Sequence, residues 1–208
     1  MTRTLLATTI FAAFAALAQA TVPAGTNGFS LVWSDDFTGA ANTPPSSSWQ
    51  YDTGNGVFGT GEIETMTNSI QNVYQDGNGN LRIVPLGSGT TWTSGRIETV
   101  RDDFAAPSGG ILAVEGRMQL PAVTGAAAAG YWPAFWMLGS TLRTGTSWPG
   151  CGEIDIMESI NGLNEVFGTL HCGTSPGKIY RHALADLQYT IVDIAQPHLT
   201  ISFFRWRL

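Results

Sequence analysis

The segment Gly152-Glu153-Ile154-Asp155-Ile156-Met157-Glu158 alternates carboxylates with aliphatic side chains and constrains the fold more than any other stretch. Alternation with a period of two over a short, β-prone stretch predicts a strand with one polar and one apolar face. Glu153 and Asp155 then share a face, whereas strict alternation places Glu158 on the opposite one. A β-bulge at Ile156-Met157 would return Glu158 to the carboxylate face. We therefore predict a bulged strand whose apolar face packs against a core.

Spacing determines what these carboxylates can do together. With a rise of ~3.3 Å per residue and one step lost to the bulge, the Cα atoms of Glu153 and Glu158 would lie roughly 13 Å apart. Two glutamate side chains that lean together close much of this gap, and a retaining glycosidase needs carboxyl groups about 5–5.5 Å apart. Because Asp155 would lie between them, at least one of the three pKa values should be raised. The alternative is a solvated acidic strand face without chemistry.

Three motifs resemble those of glycoside hydrolase family 16. They are the acidic strand preceded by Trp148-Pro149-Gly150-Cys151-Gly152, the aromatic segment from Gly130 to Gly139, and the segment from Gly109 to Pro121. The resemblance implies an all-β fold, a two-sheet antiparallel β-sandwich (jelly roll). It also implies a secreted endo-acting hydrolase that cleaves β-1,3- or mixed β-1,3/1,4-glucan with retention. Glu153 would be the nucleophile, Glu158 the acid/base and Asp155 an assisting carboxylate, with no cofactor and no metal ligand set identified.

Six further residues are candidates for substrate binding, and each has a plainer alternative. The tryptophans are candidates for stacking on sugar rings, and core packing is the alternative for each of them. Arg96 would donate hydrogen bonds to sugar hydroxyls or form an ordinary ion pair. His171 would reach the catalytic carboxylates, or it would be a strand side chain with ordinary hydrogen-bond partners. Glu62 would contact substrate or lie on the surface. These candidates are Trp132, Trp136, Trp148, Arg96, His171 and Glu62.

The two cysteines flank a predicted hairpin. Its turn is Asn161-Gly162, a favoured type I′ pair, within a connection that could extend from Ser159 to Asn164, and its second strand runs from Glu165 to His171. Cys151 and Cys172 would then lie roughly opposite each other, which makes a disulfide a candidate in an oxidising compartment. Two separate thiols are the alternative, because connectivity does not follow from spacing.

The ends of the chain differ in composition from its middle. Residues 1–20 carry an early arginine, an apolar run and Ala18-Gln19-Ala20, which predicts a secretory signal peptide. Residues 21–176 hold 24 of the 25 glycines and resemble the family's catalytic domain, whereas residues 177–208 have no family motif. We expect the sandwich to be incomplete at its C-terminus and the tail to be foreign sequence. Its stretches Ile191–Ile194 and Leu199–Trp206 are apolar enough to pair as edge strands.

Charge narrows the classes of partner. The formal net charge is −6 at pH 7, and nucleic acids or anionic membranes call for basic patches. A neutral β-glucan polysaccharide is compatible with an acidic protein, and we expect an extracellular monomer that binds neither nucleic acid nor membrane. Two other functions stay open: a carbohydrate-binding jelly-roll protein without turnover, and an inactive product of a misread gene.

Overall fold

The computed structural model describes residues 28–173 and, beyond them, the backbone of residues 179–180, 190–191 and 199–202. The predicted signal peptide, most of the tail and the predicted boundaries at residues 20 and 176 lie outside the described residues. The chain divides into two compact units, residues 1–101 and 102–208. Among the described residues, no helix is long and apolar enough to cross a membrane.

The described part of the first unit contains eight short strands. They form a pair β1–β8, a four-stranded sheet of order β2-β3-β7-β6 and a hairpin β4–β5. All of these pairs are antiparallel except β3–β7, which is parallel. The strands are β1 (Trp49–Tyr51), β2 (Gly54–Asn55), β3 (Glu64–Met66), β4 (Val73–Gln75), β5 (Leu81–Ile83), β6 (Leu86–Ser88), β7 (Thr91–Ser94) and β8 (Ile97–Thr99).

The second unit contains seven described strands. They form a four-stranded sheet of order β10-β11-β12-β13 and a three-stranded sheet of order β14-β15-β9, both antiparallel. Two short 3-10 helices, Gly125–Ala128 and Ser140–Thr144, stand before and after β10. The strands are β9 (Gly116–Met118), β10 (Ala134–Leu138), β11 (Glu153–Glu158), β12 (Phe167–His171), β13 (Ile179–Tyr180), β14 (Thr190–Ile191) and β15 (Leu199–Ser202).

The core of the second unit lies behind β11. Ile156 and Met157 are 2% and 1% exposed, and partly buried apolar side chains from β9, β10 and the flanking loops pack against them. These are Val114, Met118, Leu120, Phe135, Met137, Ile154 and Val166. Burial of two large side chains at this point is worth about 1.5–3 kcal/mol each and fixes which face of β11 looks inward.

The hairpin β11–β12 contains the predicted turn, within a longer connection that runs from Ser159 to Val166. Asn161 and Gly162 both have positive φ, 56° and 62°, as a type I′ pair requires. The Asn161 side chain accepts a hydrogen bond from the amide of Gly130 at 2.8 Å, and the Asn161 amide donates to the carbonyl of Tyr131. The loop that joins the two strands is therefore tied to the segment that leads into β10.

Candidate active site

The bulge in β11 is present where the sequence predicted it. Asp155 pairs with Thr169 and Glu158 pairs with Phe167, so Ile156 and Met157 together face one residue of β12. The register with β10 shifts at the same place, between Phe135 and Trp136. A bulge lets two successive side chains turn to the same side, and both of these are buried in the core. Glu158 thereby returns to the face that carries Glu153 and Asp155.

Two tryptophans hold the outer carboxylates of this strand. The indole N–H of Trp148 donates to Oε2 of Glu153 at 3.1 Å, and that of Trp132 donates to Oε1 of Glu158 at 2.7 Å. The hydroxyl of Thr169 lies 3.4 Å from the other oxygen of Glu158, Oε2. Each outer carboxylate is therefore oriented by a donor that comes from outside β11.

His171 lies across the hairpin from the acidic strand. It pairs with Glu153 in register, and residues directly opposite in an antiparallel pair extend their side chains on the same face. Its Nε2 lies 3.0 Å from Oδ2 of Asp155 and 3.6 Å from Oε1 of Glu153. The ring of Trp148 covers the imidazole with centroids 5.4 Å apart. The predicted contact between this histidine and the carboxylates is thus present.

Asp155 is the carboxyl group whose ionisation is most disturbed. Its side chain is only 5% exposed, and this burial, together with the charges of Glu153 and Glu158 and a hydrogen bond shared with Glu153, raises its pKa to about 8. Desolvation and neighbouring like charges both disfavour an ionised carboxylate. A raised pKa within the acidic trio was predicted, and the structure assigns it to the central residue.

The three candidate tryptophans differ in exposure and position. Trp132 and Trp148 are 50% and 42% exposed, so neither is a core residue and both offer ring surface to a ligand. Trp136 lies on β10 directly opposite Asp155 and is partly buried. β10 begins at Ala134, so strand alternation does not apply to Trp132, and its contact with Glu158 comes from the segment before the strand.

Glu62 and Arg96 belong to the first unit, where local partners engage them. The carboxylate of Glu62 accepts hydrogen bonds from the amides of Phe58 and Thr60, and with the Thr60 hydroxyl these lower its pKa to about 2. Arg96 donates from Nε to Asp52 at 2.9 Å, and its guanidinium lies 4.3 Å from the Phe58 ring centroid. Glu62 thus orders a loop, and Arg96 forms the ion pair that was its alternative reading.

The candidate disulfide is not formed, because Cys151 and Cys172 are free thiols. Glu153 pairs with His171, so the same register places Cys172 opposite Gly152, one position away from Cys151. Both cysteines lie just outside the paired strands, since β11 begins at Glu153 and β12 ends at His171. Burial, with a smaller effect of the Glu153 charge, raises the pKa of the Cys151 thiol.

Thr169 is the site residue that sequence analysis missed. It stands two residues before His171 on β12 and pairs with Asp155, which places it on the carboxylate face. The period of two that selected the acids on β11 would have selected it on β12.

Known proteins share both the sequence and the fold of this chain. The sequence model described as "XgeA-like, catalytic GH16 domain" matches residues 121–194. An endo-1,3-beta-glucanase from Streptomyces sioyaensis is 55% identical with a TM-score of 0.71, over 76% of this chain and 60% of that chain. A laminarinase from a Flavobacterium species is 31% identical with a TM-score of 0.61, over 86% of this chain and 71% of that chain. The chain belongs to glycoside hydrolase family 16.

This family membership confirms the predicted fold class, an all-β jelly roll. A curated member, glucan endo-1,3-beta-glucosidase A1 from Niallia circulans, is 36% identical over 164 residues. The match covers 70% of this chain but only 22% of that protein. The chain therefore spans about a fifth of the length of this relative and three fifths of the Streptomyces structure.

Proposed function

We propose that this family 16 chain is a secreted, endo-acting glycosidase that cleaves β-1,3- or mixed β-1,3/1,4-glucan with retention of configuration. The observation that carries the proposal is the bulge at Ile156-Met157, which puts Glu158 on the same face as Glu153 and Asp155. Two carboxylates on one face, with different environments, are what a double-displacement mechanism uses.

Glu153 is the nucleophile of the proposed mechanism. Its Oε2 is occupied by the Trp148 indole, which leaves Oε1 to attack the anomeric carbon. Asp155, with a pKa of about 8, carries its proton at neutral pH and shares it with Glu153. A neutral neighbour places no second negative charge beside the nucleophile, and the hydrogen bond that it shares with Glu153 helps to orient that carboxylate.

Glu158 is the acid/base of the same mechanism. It protonates the departing glycosidic oxygen and then removes a proton from the water that releases the glycosyl-enzyme. Trp132 and Thr169 hold its two oxygens and so restrict the directions from which it can reach the sugar. The exposed rings of Trp132 and Trp148 supply flat apolar surface for the C–H faces of glucose units on either side.

The substrate assignment is supported by the printed functions of the relatives, which are an endo-1,3-beta-glucanase, a laminarinase and a glucan endo-1,3-beta-glucosidase. Export of a monomer to the cell exterior is proposed with it, on the strength of the predicted signal peptide and the acidic charge.

The test is hydrolysis of laminarin, a soluble β-1,3-glucan, and of a mixed-linkage glucan, followed through reducing ends and product size. We expect oligosaccharides of several lengths from the start, and NMR of the first product should show the β-anomer. Glu153→Gln, which keeps the shape and removes the charge, is the matched control and should be inactive. Release of single glucose units, an α-anomer, or full activity in the control would contradict the proposal. Binding of laminarin without cleavage would favour the carbohydrate-binding alternative.

A further inference from the structure

Three metal-ligating atoms from two strands meet beside the proposed nucleophile. Within the described part of the chain, one oxygen of Glu153, one of Asp155 and one ring nitrogen of His171 all lie within 4.8 Å of one another. The three side chains are 18%, 5% and 16% exposed, so they are sheltered but not sealed from solvent. They combine one imidazole nitrogen with two carboxylates, all of them ligand types that zinc accepts, and three protein ligands are the number that leaves a fourth position open.

The two distances from the His171 nitrogen are close to those around a tetrahedral ion. With Zn–N and Zn–O bonds of about 2.0–2.2 Å, neighbouring ligands of a tetrahedral zinc lie roughly 3.4 Å apart. His171 Nε2 lies 3.0 Å from Asp155 Oδ2 and 3.6 Å from Glu153 Oε1. An ion between these groups would therefore need only small side-chain adjustments around the imidazole, and a fourth position would be left for water.

A supporting contact also fits a metal centre. Carboxylate ligands at such centres are usually hydrogen-bonded through their second oxygen, which fixes their orientation. Trp148 supplies this contact, because its indole N–H donates to Oε2 of Glu153 while Oε1 faces His171. The ring of Trp148 also stands against the imidazole and limits its rotation.

We propose that Glu153, Asp155 and His171 form an inhibitory site for a divalent transition-metal ion, zinc or copper. The ion would bind Oε1 of Glu153, the oxygen that attacks the sugar in the proposed function, so the inhibitory part of the inference rests on that function. Binding of the ion does not depend on the proposed function. Copper should bind more tightly than zinc, following the general order for nitrogen and oxygen sites. Calcium and magnesium, which require six or more oxygen ligands, should bind poorly.

The experiment is isothermal titration calorimetry of the metal-free protein with zinc chloride, then with copper and calcium chlorides. We expect one zinc ion per chain. Glu153→Gln and His171→Ala should each weaken zinc binding at least tenfold, since even loss of a supporting contact costs about 10–100-fold. Trp148→Phe keeps an aromatic ring at this position but removes the indole N–H, and it should weaken zinc binding about tenfold. Cys172→Ser, which removes a neighbouring thiol outside the proposed ligand set, is the matched control and should bind zinc like the parent protein.

Two results would overturn the proposal: no zinc binding by the folded parent protein, or parent-like binding by both Glu153→Gln and His171→Ala. Circular dichroism of each variant shows whether a loss of zinc binding is due to misfolding. If His171→Ala does not fold, zinc binding by the isosteric variant Glu153→Gln alone tests the proposal. Loss of laminarin hydrolysis with zinc, reversed by EDTA, would support the inhibitory role. Zinc binding by a protein that never cleaves laminarin would refute the proposed function while leaving the metal site standing.

Discussion

Replacing Asp155 by asparagine should stabilise the protein, and the gain should grow with pH. A carboxyl group with an ordinary pKa of 3.8 and a folded-state pKa of about 8 keeps its proton in the folded state but loses it on unfolding. Between these two values the folded state binds more protons than the unfolded state, so the free energy of unfolding falls as pH rises. An asparagine amide has no proton to lose and removes this dependence.

The magnitude follows from the same two pKa values. Each pH unit between these two pKa values lowers the free energy of unfolding of the wild-type protein by about 1.36 kcal/mol. At pH 7 the raised pKa of Asp155 therefore lowers the stability of the wild-type protein by an amount on the order of 4 kcal/mol. Above pH 8 it levels off at about 5–6 kcal/mol. Near pH 4 the side chain at position 155 is neutral in both proteins. Their free energies of unfolding then differ only by a constant, which comes from the altered hydrogen bonds with Glu153 and His171.

Urea denaturation of the parent protein and Asp155→Asn at pH 4.5, 6, 7 and 8.5 measures this difference. Glu62→Gln is a control of opposite sign, because the folded-state pKa of Glu62 is lowered to about 2; it should destabilise the protein by an amount that stays constant from pH 4.5 to 8.5. Glu62 contributes stability above pH 4.5 that is lost as pH falls toward 2. A difference between Asp155→Asn and the parent that stays constant from pH 4.5 to 8.5 would refute the assignment of the raised pKa to Asp155.

Three further predictions concern single substitutions. Glu153→Ala should lower kcat/KM on laminarin at least ~10⁴-fold, as removal of a nucleophile does, and azide should restore turnover with an inverted product; parent-like rates would count against its role. Glu158→Ala should spare activated aryl glucosides more than laminarin, because a good leaving group needs little protonation; equal losses on the two substrates would contradict it. Gly162→Ala should lower the free energy of unfolding by about 1–3 kcal/mol. The reason is that φ at Gly162 is +62° and an added Cβ would overlap the carbonyl oxygen of Val123 and the Cβ of Ala128. An unchanged urea midpoint would disprove this prediction.

The bulged strand was predictable because its residues leave few choices. Three carboxylates and three apolar side chains cannot all be satisfied by strict alternation in a half-buried strand, and one extra residue at Ile156-Met157 resolves the conflict. The position of the hairpin turn followed from Asn161-Gly162, but the register did not, because the connection from Ser159 to Val166 is much longer than the turn. Local sequence therefore predicted the acidic face of the candidate site, and the family resemblance predicted the contact of His171 with it.

Other features depended on side-chain rotamers and on pairings between distant segments. Nothing in the pattern around Trp132 shows that its indole reaches Glu158, because the residue precedes β10. Residues 29–37 alternate like a strand but do not form one, because the amide of Phe37 donates to the Asp35 side chain, a local turn that competes with a ladder. Of the motif from Gly109 to Pro121, only Gly116–Met118 forms a strand.

The bulge also decides which changes in length this strand can accept. Loss of the Met157 codon would leave Glu-Ile-Asp-Ile-Glu, in which strict alternation already puts all three acids on one side. Loss of the Ile154 codon would instead put Glu153 and Asp155 on opposite sides. The strand therefore keeps its three acids on one face at two different lengths. A single codon deletion or insertion converts one length into the other, with no intermediate in which the acids lie on both faces of the sheet.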